Sequence, residues 1–188
     1  MTITSDQTSA VSRQMRPALL LLAFFVCFAL TVLIAGFTAG LRINTTRSEP
    51  LGLWRITMLD RPVKLGDIVF VCPPDTKDMH DARSRGYLRS GLCAGGNAPL
   101  IKTVAAVAGQ IVEIGSAVRV DGKVLRNSRL LSTDGKQRKL QPYRGGRLDA
   151  GDIYLHSDFP GSFDSRYFGP LRSENVLGLA QEVLTYVP

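Results

Sequence analysis

Apolar positions are distributed very unevenly along this chain. Residues 17–41 read PALLLLAFFVCFALTVLIAGFTAGL and carry no charge. As a helix rising 1.5 Å per residue, such a run spans roughly 35 Å, more than a ~30 Å hydrocarbon core requires. The pattern predicts a transmembrane anchor at 17–41, a polar and loosely held tail at 1–16, and a separate domain at 42–188. Two other readings exist. TAG resembles the small-residue site of a cleaved secretory signal, although the apolar core of such signals is typically about 7–15 residues. A buried core helix would need a polar face, or a domain large enough to surround it, and the sequence offers neither.

Beyond Arg42 the periodicity changes to short apolar runs separated by turn residues. DIVFVC reads as a strand, as do QIVEI, DIYLHS and the closing VLGLAQEVLTYVP. AVRVDGKVL alternates around Asp121-Gly122, a hairpin turn signal. IKTVAAVAG fits strand or helix by periodicity alone. Residues 132–147 are polar and glycine-bearing and predict an exposed loop. The sum is a mainly β domain behind a single N-terminal transmembrane helix.

Composition refines this picture in three places. With 188 residues there is room for one anchor and one modest domain. The formal charge of +7 suits a domain beside anionic headgroups, so the lipid bilayer is an expected partner. The basic residues are scattered without aromatic platforms or a recognition motif, so no nucleic-acid partner is expected. Arg13 and Arg16 before the span favour a cytoplasmic N-terminus, but Arg42, Arg47 and Arg55 follow it, and charge alone does not orient the chain. Of the three cysteines, Cys27 lies in the apolar run. Cys72 and Cys93 read either as a disulfide of an extracytoplasmic domain or as two unrelated thiols. His80 alone between them argues against zinc.

No Ser–His–Asp arrangement stands out, since His80 sits in the polar stretch between Cys72 and Cys93 and His156 ends a strand run near Asp158. A lysine serves as general base if burial keeps it neutral. Lys102 is the only charge in PLIKTVAAVAG, whereas Lys77, Lys136 and Lys139 lie in polar segments. Taken alone, Lys102 also reads as a strand lysine whose stem packs while its charge reaches water. The nucleophile candidate is Ser48 in NTTRSEPLGLW, where Pro50 and Gly52 predict a tight turn just after it. Thr46 is placed to add a hydroxyl to an oxyanion site beside the Ser48 N–H. Ser162-Phe163-Asp164-Ser165-Arg166-Tyr167-Phe168-Gly169 offers Ser162 to aim the lysine, and Asp164 with Arg166 to brace it. Each stretch alone also reads as an ordinary surface loop.

Together and in this order, the serine segment, LGDIVF, IKTVAAVAG and SFDSRYFGP resemble type I signal peptidases, the serine–lysine enzymes that cut exported proteins. Within that family the run N-x-T-x-S-x-P-x-G-L-W and the cysteine-flanked CPP…RGYLRSGLCAGGNAPLIK are similar to the conjugative-transfer (TraF-type) subgroup. The resemblance implies a signal-peptidase-like β-domain with Ser48 as nucleophile, Lys102 as base and no metal or cofactor. It implies a periplasmic domain anchored in the inner membrane, and a membrane-embedded pilin or other exported precursor as substrate, with ring closure of the product in some members. Oligomeric state is not implied. Three departures from the housekeeping pattern stand out. Glu49-Pro50 follows the serine in place of the usual Met. Gln110 follows Gly109 where Asp is usual. His156-Ser157-Asp158-Phe159-Pro160-Gly161 replaces the expected Gly-Asp-Asn-Arg stretch. A general signal peptidase and a catalytically silent scaffold of a transfer apparatus are the competing readings.

Overall fold

The uncharged run near the N-terminus forms a helix, and the alternating runs after it form sheets. A computed structural model describes residues 5–187. Its elements are α1 (Ser5–Thr38), β1 (Leu41–Asn44), β2 (Leu51–Thr57), β3 (Ile68–Val71), α2 (Lys77–Ser84), β4 (Leu100–Val107), β5 (Ile111–Ile114), β6 (Val118–Val120), β7 (Lys123–Val124), β8 (Gly146–Arg147), β9 (Asp152–His156), α3 (Ser165–Phe168), β10 (Leu171–Arg172) and β11 (Val176–Tyr186). The chain divides into two compact units between Leu41 and Arg42.

In the first unit α1 begins at Ser5, well inside the stretch expected to be loose. Once an apolar helix is nucleated, each residue added upstream gains a hydrogen bond for little further ordering, and Pro17 interrupts only one such bond. Pro17–Thr38 has a mean hydropathy of 3.0 and is the one helical stretch among the described residues long and apolar enough to cross a membrane. Its large side chains are exposed along its length.

The second unit is mainly β, as the alternation predicted. A seven-stranded sheet runs β1-β2-β11-β3-β4-β9-β10, and a four-stranded sheet runs β7-β6-β5-β8. IKTVAAVAG resolves as strand because β4 has antiparallel neighbours on both sides, β3 and β9. Strand period separates the faces. Val69 and Val71 join Val104, Leu155, Met79 and Ala82 in one core cluster, and the intervening Phe70 joins Trp54 and Ile101 in another. Asp121 and Gly122 have φ of 47° and 77° and close the β6–β7 hairpin, as their dipeptide predicted.

Some of the reading needs correction. The turn at the serine segment lies at Thr46–Glu49, before Pro50. Gly52 sits inside β2 opposite Thr185 and serves a close strand approach, since a Cβ there would meet the Leu184 carbonyl at 2.2 Å. The helix α2 has no counterpart in the reading. It is an eight-residue charged segment that buries only Met79 and Ala82, with Thr76 capping the Met79 N–H at 3.4 Å. The surrounding loop is closed by a Cys72–Cys93 disulfide with Cα atoms 5.6 Å apart.

Candidate active site

The serine segment follows edge strand β1 and is shaped by one buried side chain. Asn44 Nδ2 donates to the carbonyls of Thr46, Glu49 and Pro50, each at 2.9 Å. Its Oδ1 accepts from the Thr46 N–H at 3.0 Å and the Thr46 hydroxyl at 2.8 Å. Downstream, the indole N–H of fully buried Trp54 donates to the Pro50 carbonyl at 2.9 Å. The turn is therefore gripped at both ends. Ser48 at its tip is half-buried, and its Oγ lies 3.3 Å from Thr46 Oγ1. The Ser48 carbonyl accepts a hydrogen bond from the Ser157 hydroxyl.

Lys102 comes from the interior strand β4, opposite Val69 of β3. By strand alternation it shares its face with Val104 of the main core cluster. It is 2% exposed, and its Nζ donates to Ser162 Oγ at 3.0 Å. Burial pulls its ammonium down to about 8, while the charges of Asp164 and Glu49 oppose the change and Arg166 adds to it.

The third element is a buried ion-pair bracket. Arg166 Nε and Nη2 donate to the two oxygens of Asp164 at 2.8 and 2.9 Å. Arg166 Nη2 also donates to the carbonyls of Ser162 at 3.1 Å and Phe159 at 3.2 Å, which fixes the turn that presents Ser162. Asp164 caps α3 through the Arg166 N–H and accepts from the Ser157 N–H at 3.2 Å. Burial alone would raise the Asp164 carboxyl, but the His156 ring and the Arg166 guanidinium against it hold it below the usual carboxylate range.

Two clefts flank Ser48. One, of about 320 Å³, is lined by Ser48, Lys102, Ser162, Thr46, Ile101 and Tyr87. The other, a groove of about 810 Å³, is lined by Ser48, Glu49, Thr103, Leu125, His156 and Asp158. Ser48, Thr46, Lys102 and Ser162 thus meet at one cleft, with Asp164 and Arg166 buried behind Ser162. Cys72 and Cys93 lie apart from these lining residues and brace the loop that supplies Tyr87 to the cleft.

Four residues near the site had no role in the sequence reading. Asn44 shapes the turn, and Ser157 holds the Ser48 carbonyl. Glu49 faces the larger groove, and His156 stands 3.5 Å from Asp164 through Nδ1. Asn44 and Glu49 were visible in the serine segment, but their partners could not be read from it. His156 and Ser157 lie more than 100 residues further on, in the stretch that departs from the housekeeping pattern.

Chemically the arrangement offers a hydroxyl, a buried amine and a pair of hydroxyls around one cleft, a set suited to acyl transfer. Known proteins resemble this chain along most of its length. A family model described as "Signal peptidase, peptidase S26" matches residues 13–185. A probable conjugal transfer protein TraF from Sinorhizobium fredii (strain NBRC 101917 / NGR234) is 52% identical over 188 residues, covering all of both chains. A plasmid transfer protein TraF from Escherichia coli is 37% identical over 163 residues, covering 84% of this chain and 90% of its own. A crystal structure of a signal peptidase I from Enterococcus faecalis V583 aligns with a TM-score of 0.40 at 16% identity, over 65% of this chain and 98% of that one. The chain belongs to the signal peptidase S26 family.

Proposed function

We propose that this chain is a membrane-anchored serine endopeptidase of a conjugative transfer system, with Ser48 and Lys102 as its catalytic dyad. The observation that carries the reading is the buried Lys102 amine, held by Ser162 in the same cleft as Ser48. A lysine with its pKa near 8 is neutral in roughly a tenth of the molecules at pH 7, far more than an ordinary lysine, and a neutral amine accepts the serine proton.

In this mechanism Ser48 Oγ attacks the scissile carbonyl as Lys102 takes its proton. The Ser48 N–H and the Thr46 hydroxyl hold the oxyanion. Thr46 now donates to Asn44 Oδ1, so its proton must swing from Asn44 to the oxyanion as charge develops. Charged Lys102 then protonates the leaving amine, and water or a second amine releases the acyl-enzyme. Water yields a linear product. The amine terminus of the same product yields a ring lighter by one water. The relatives' names support a role in conjugal or plasmid transfer, and a pilin precursor as substrate follows the family resemblance alone. The apolar helix supports an anchor that concentrates enzyme and membrane-embedded substrate in one bilayer. Inner-membrane anchoring with the domain on the periplasmic side follows the family resemblance, and the Cys72–Cys93 disulfide suits that oxidising compartment.

The test is co-expression of a candidate conjugative pilin precursor with the wild type, Ser48→Ala or Lys102→Ala, followed by intact mass. Loss of processing in both variants at normal membrane levels is the expected result. Normal processing in both would favour a silent scaffold.

A further inference from the structure

The three arginines of the disulfide-closed loop are not used alike. Arg83 donates to the Gly95 carbonyl and Arg85 to the Lys139 carbonyl, and both brace the fold. The guanidinium of Arg89 has no such partner among the described residues. Arg89 is exposed at the wall of the smaller cleft, the one that also holds Ser48 and Lys102. Its backbone is nevertheless fixed. The Arg89 carbonyl accepts from the Ala98 N–H at 2.7 Å, and the Cys93 N–H donates to the Asn97 carbonyl at 2.9 Å. Two residues upstream, the Tyr87 hydroxyl donates to Asp134 at 2.6 Å. Arg47 is a second such cation. It precedes Ser48 in the gripped turn, is exposed, and has no partner for its guanidinium among the described residues.

The two clefts beside Ser48 differ in charge accordingly. The larger groove carries Glu49 and Asp158 along with Arg47. The smaller one is lined by Arg42, Arg47, Arg89 and Lys102, and among the described residues no carboxylate side chain lines it. Like charges gathered in a partly enclosed space leave a positive field there, which an anion entering with the substrate would neutralise. A guanidinium presents a planar fork of N–H groups that matches a carboxylate. Apolar Phe70 and Ile101 line the same cleft, so the segment seated there combines apolar contact with one anionic group. Resting on the dyad reading, we propose that Arg89, with Arg47 beside the nucleophile, recognises a carboxylate of the substrate close to the scissile bond. That carboxylate is an Asp or Glu side chain or the carboxyl end of the precursor. Arg89 is then a specificity residue supplied by the disulfide-closed loop, and its contact selects which bond is presented to Ser48.

The test uses the full chain in detergent micelles and a positional library of acetylated, amidated decapeptides, with cut sites read by mass spectrometry. In the wild type, one position near the cut should favour Glu and Asp over Gln and Asn by about threefold or more. A second library with unblocked C-termini separates the two sources, since a chain-end carboxylate would fix the distance from the cut to the terminus. Arg89→Gln should bring the acidic preference toward one. Arg89→Glu should invert it in favour of Lys, an inversion that a merely structural role for Arg89 would not produce. Absence of an acidic preference from both libraries would overturn the proposal, as would a preference that survives intact in Arg89→Gln. If Arg89→Gln instead loses only its binding to phosphatidylglycerol vesicles, the cation faces lipid headgroups and the proposal falls. Affinity selection of the same libraries on Ser48→Ala, which keeps both arginines, separates recognition from catalysis. If the wild type cuts neither library nor a candidate pilin precursor, the peptidase reading fails. The selection then decides alone, with the same acidic enrichment expected and its absence contradicting the role of Arg89.

Discussion

In the proposed dyad, Lys102 opposes folding through the same burial that suits it to act as a base. An amine held at about 8 instead of its ordinary 10.5 costs the fold about 3 kcal/mol while it is charged. The sign follows from proton counts. Between about 8 and 10.5 the unfolded chain holds the proton that the folded chain has lost, so stability rises with pH across that window. Below about 8 both states are charged and the full penalty applies. Lys102→Met should therefore be more stable than the wild type at neutral pH, by up to about 3 kcal/mol in denaturant titration. That advantage should shrink as pH rises toward 10.5, while processing is lost throughout. A wild type as stable as Lys102→Met at neutral pH would mean the amine is solvated. Activity of the wild type should rise with pH through about 8, as the base form appears. Asn44→Ala should lower processing by about tenfold or more with little change in substrate affinity, because five hydrogen bonds that hold the serine turn start from that one side chain.

Elements bring these residues together, and they differ in how much of themselves the sequence reveals. Strand β4 was ambiguous by periodicity and was settled by its neighbours, since only a strand can pair with both β3 and β9. Lys102 and Ser48 stood out because one is a lone charge in an apolar run and the other follows the apolar segment in a family-like serine box. Asp164 and Arg166 stood out because they lie two residues apart in a short motif. The Asn44 grip, the Ser157 bond to the Ser48 carbonyl and the Glu49–Thr103 contact were not legible. Each is a contact between polar groups in which neither hydrophobic period nor motif spacing marks the partner. Helix α2 was hidden for another reason, being too short and too charged to show a helical stripe. Its place depends on its loop, so reduction of Cys72–Cys93 should destabilise the domain by about 3 kcal/mol on the loop-entropy model. Thermal melts with and without reductant measure this. The buried bracket should be less forgiving still. Asp164→Ala leaves the Arg166 guanidinium buried without its carboxylate, an expected loss of about 3–5 kcal/mol that chemical denaturation would register.

Across the whole molecule, an apolar helical unit and a β unit divide two tasks. The first has the length and composition to hold the chain in a bilayer, and the second carries a cleft with a nucleophile candidate and a buried base candidate. Met58 is 89% exposed and offers a marker of which side the β unit occupies. Introduced as Met58→Cys with Cys27→Ser, it should react with a membrane-impermeant maleimide once the outer membrane is opened. Labelling only after lysis of the inner membrane would reverse the orientation. The most direct trial of the dyad is to trap the acyl-enzyme. Purified full-length protein is mixed with a detergent-solubilised candidate pilin precursor, quenched in acid and weighed intact, with the site of any adduct mapped by peptide mass. The expected result is a precursor fragment esterified to Ser48 in the wild type, absent from Ser48→Ala and from Lys102→Met. Attachment to another residue, or undiminished processing by both variants, would contradict Ser48 and Lys102 as the catalytic pair.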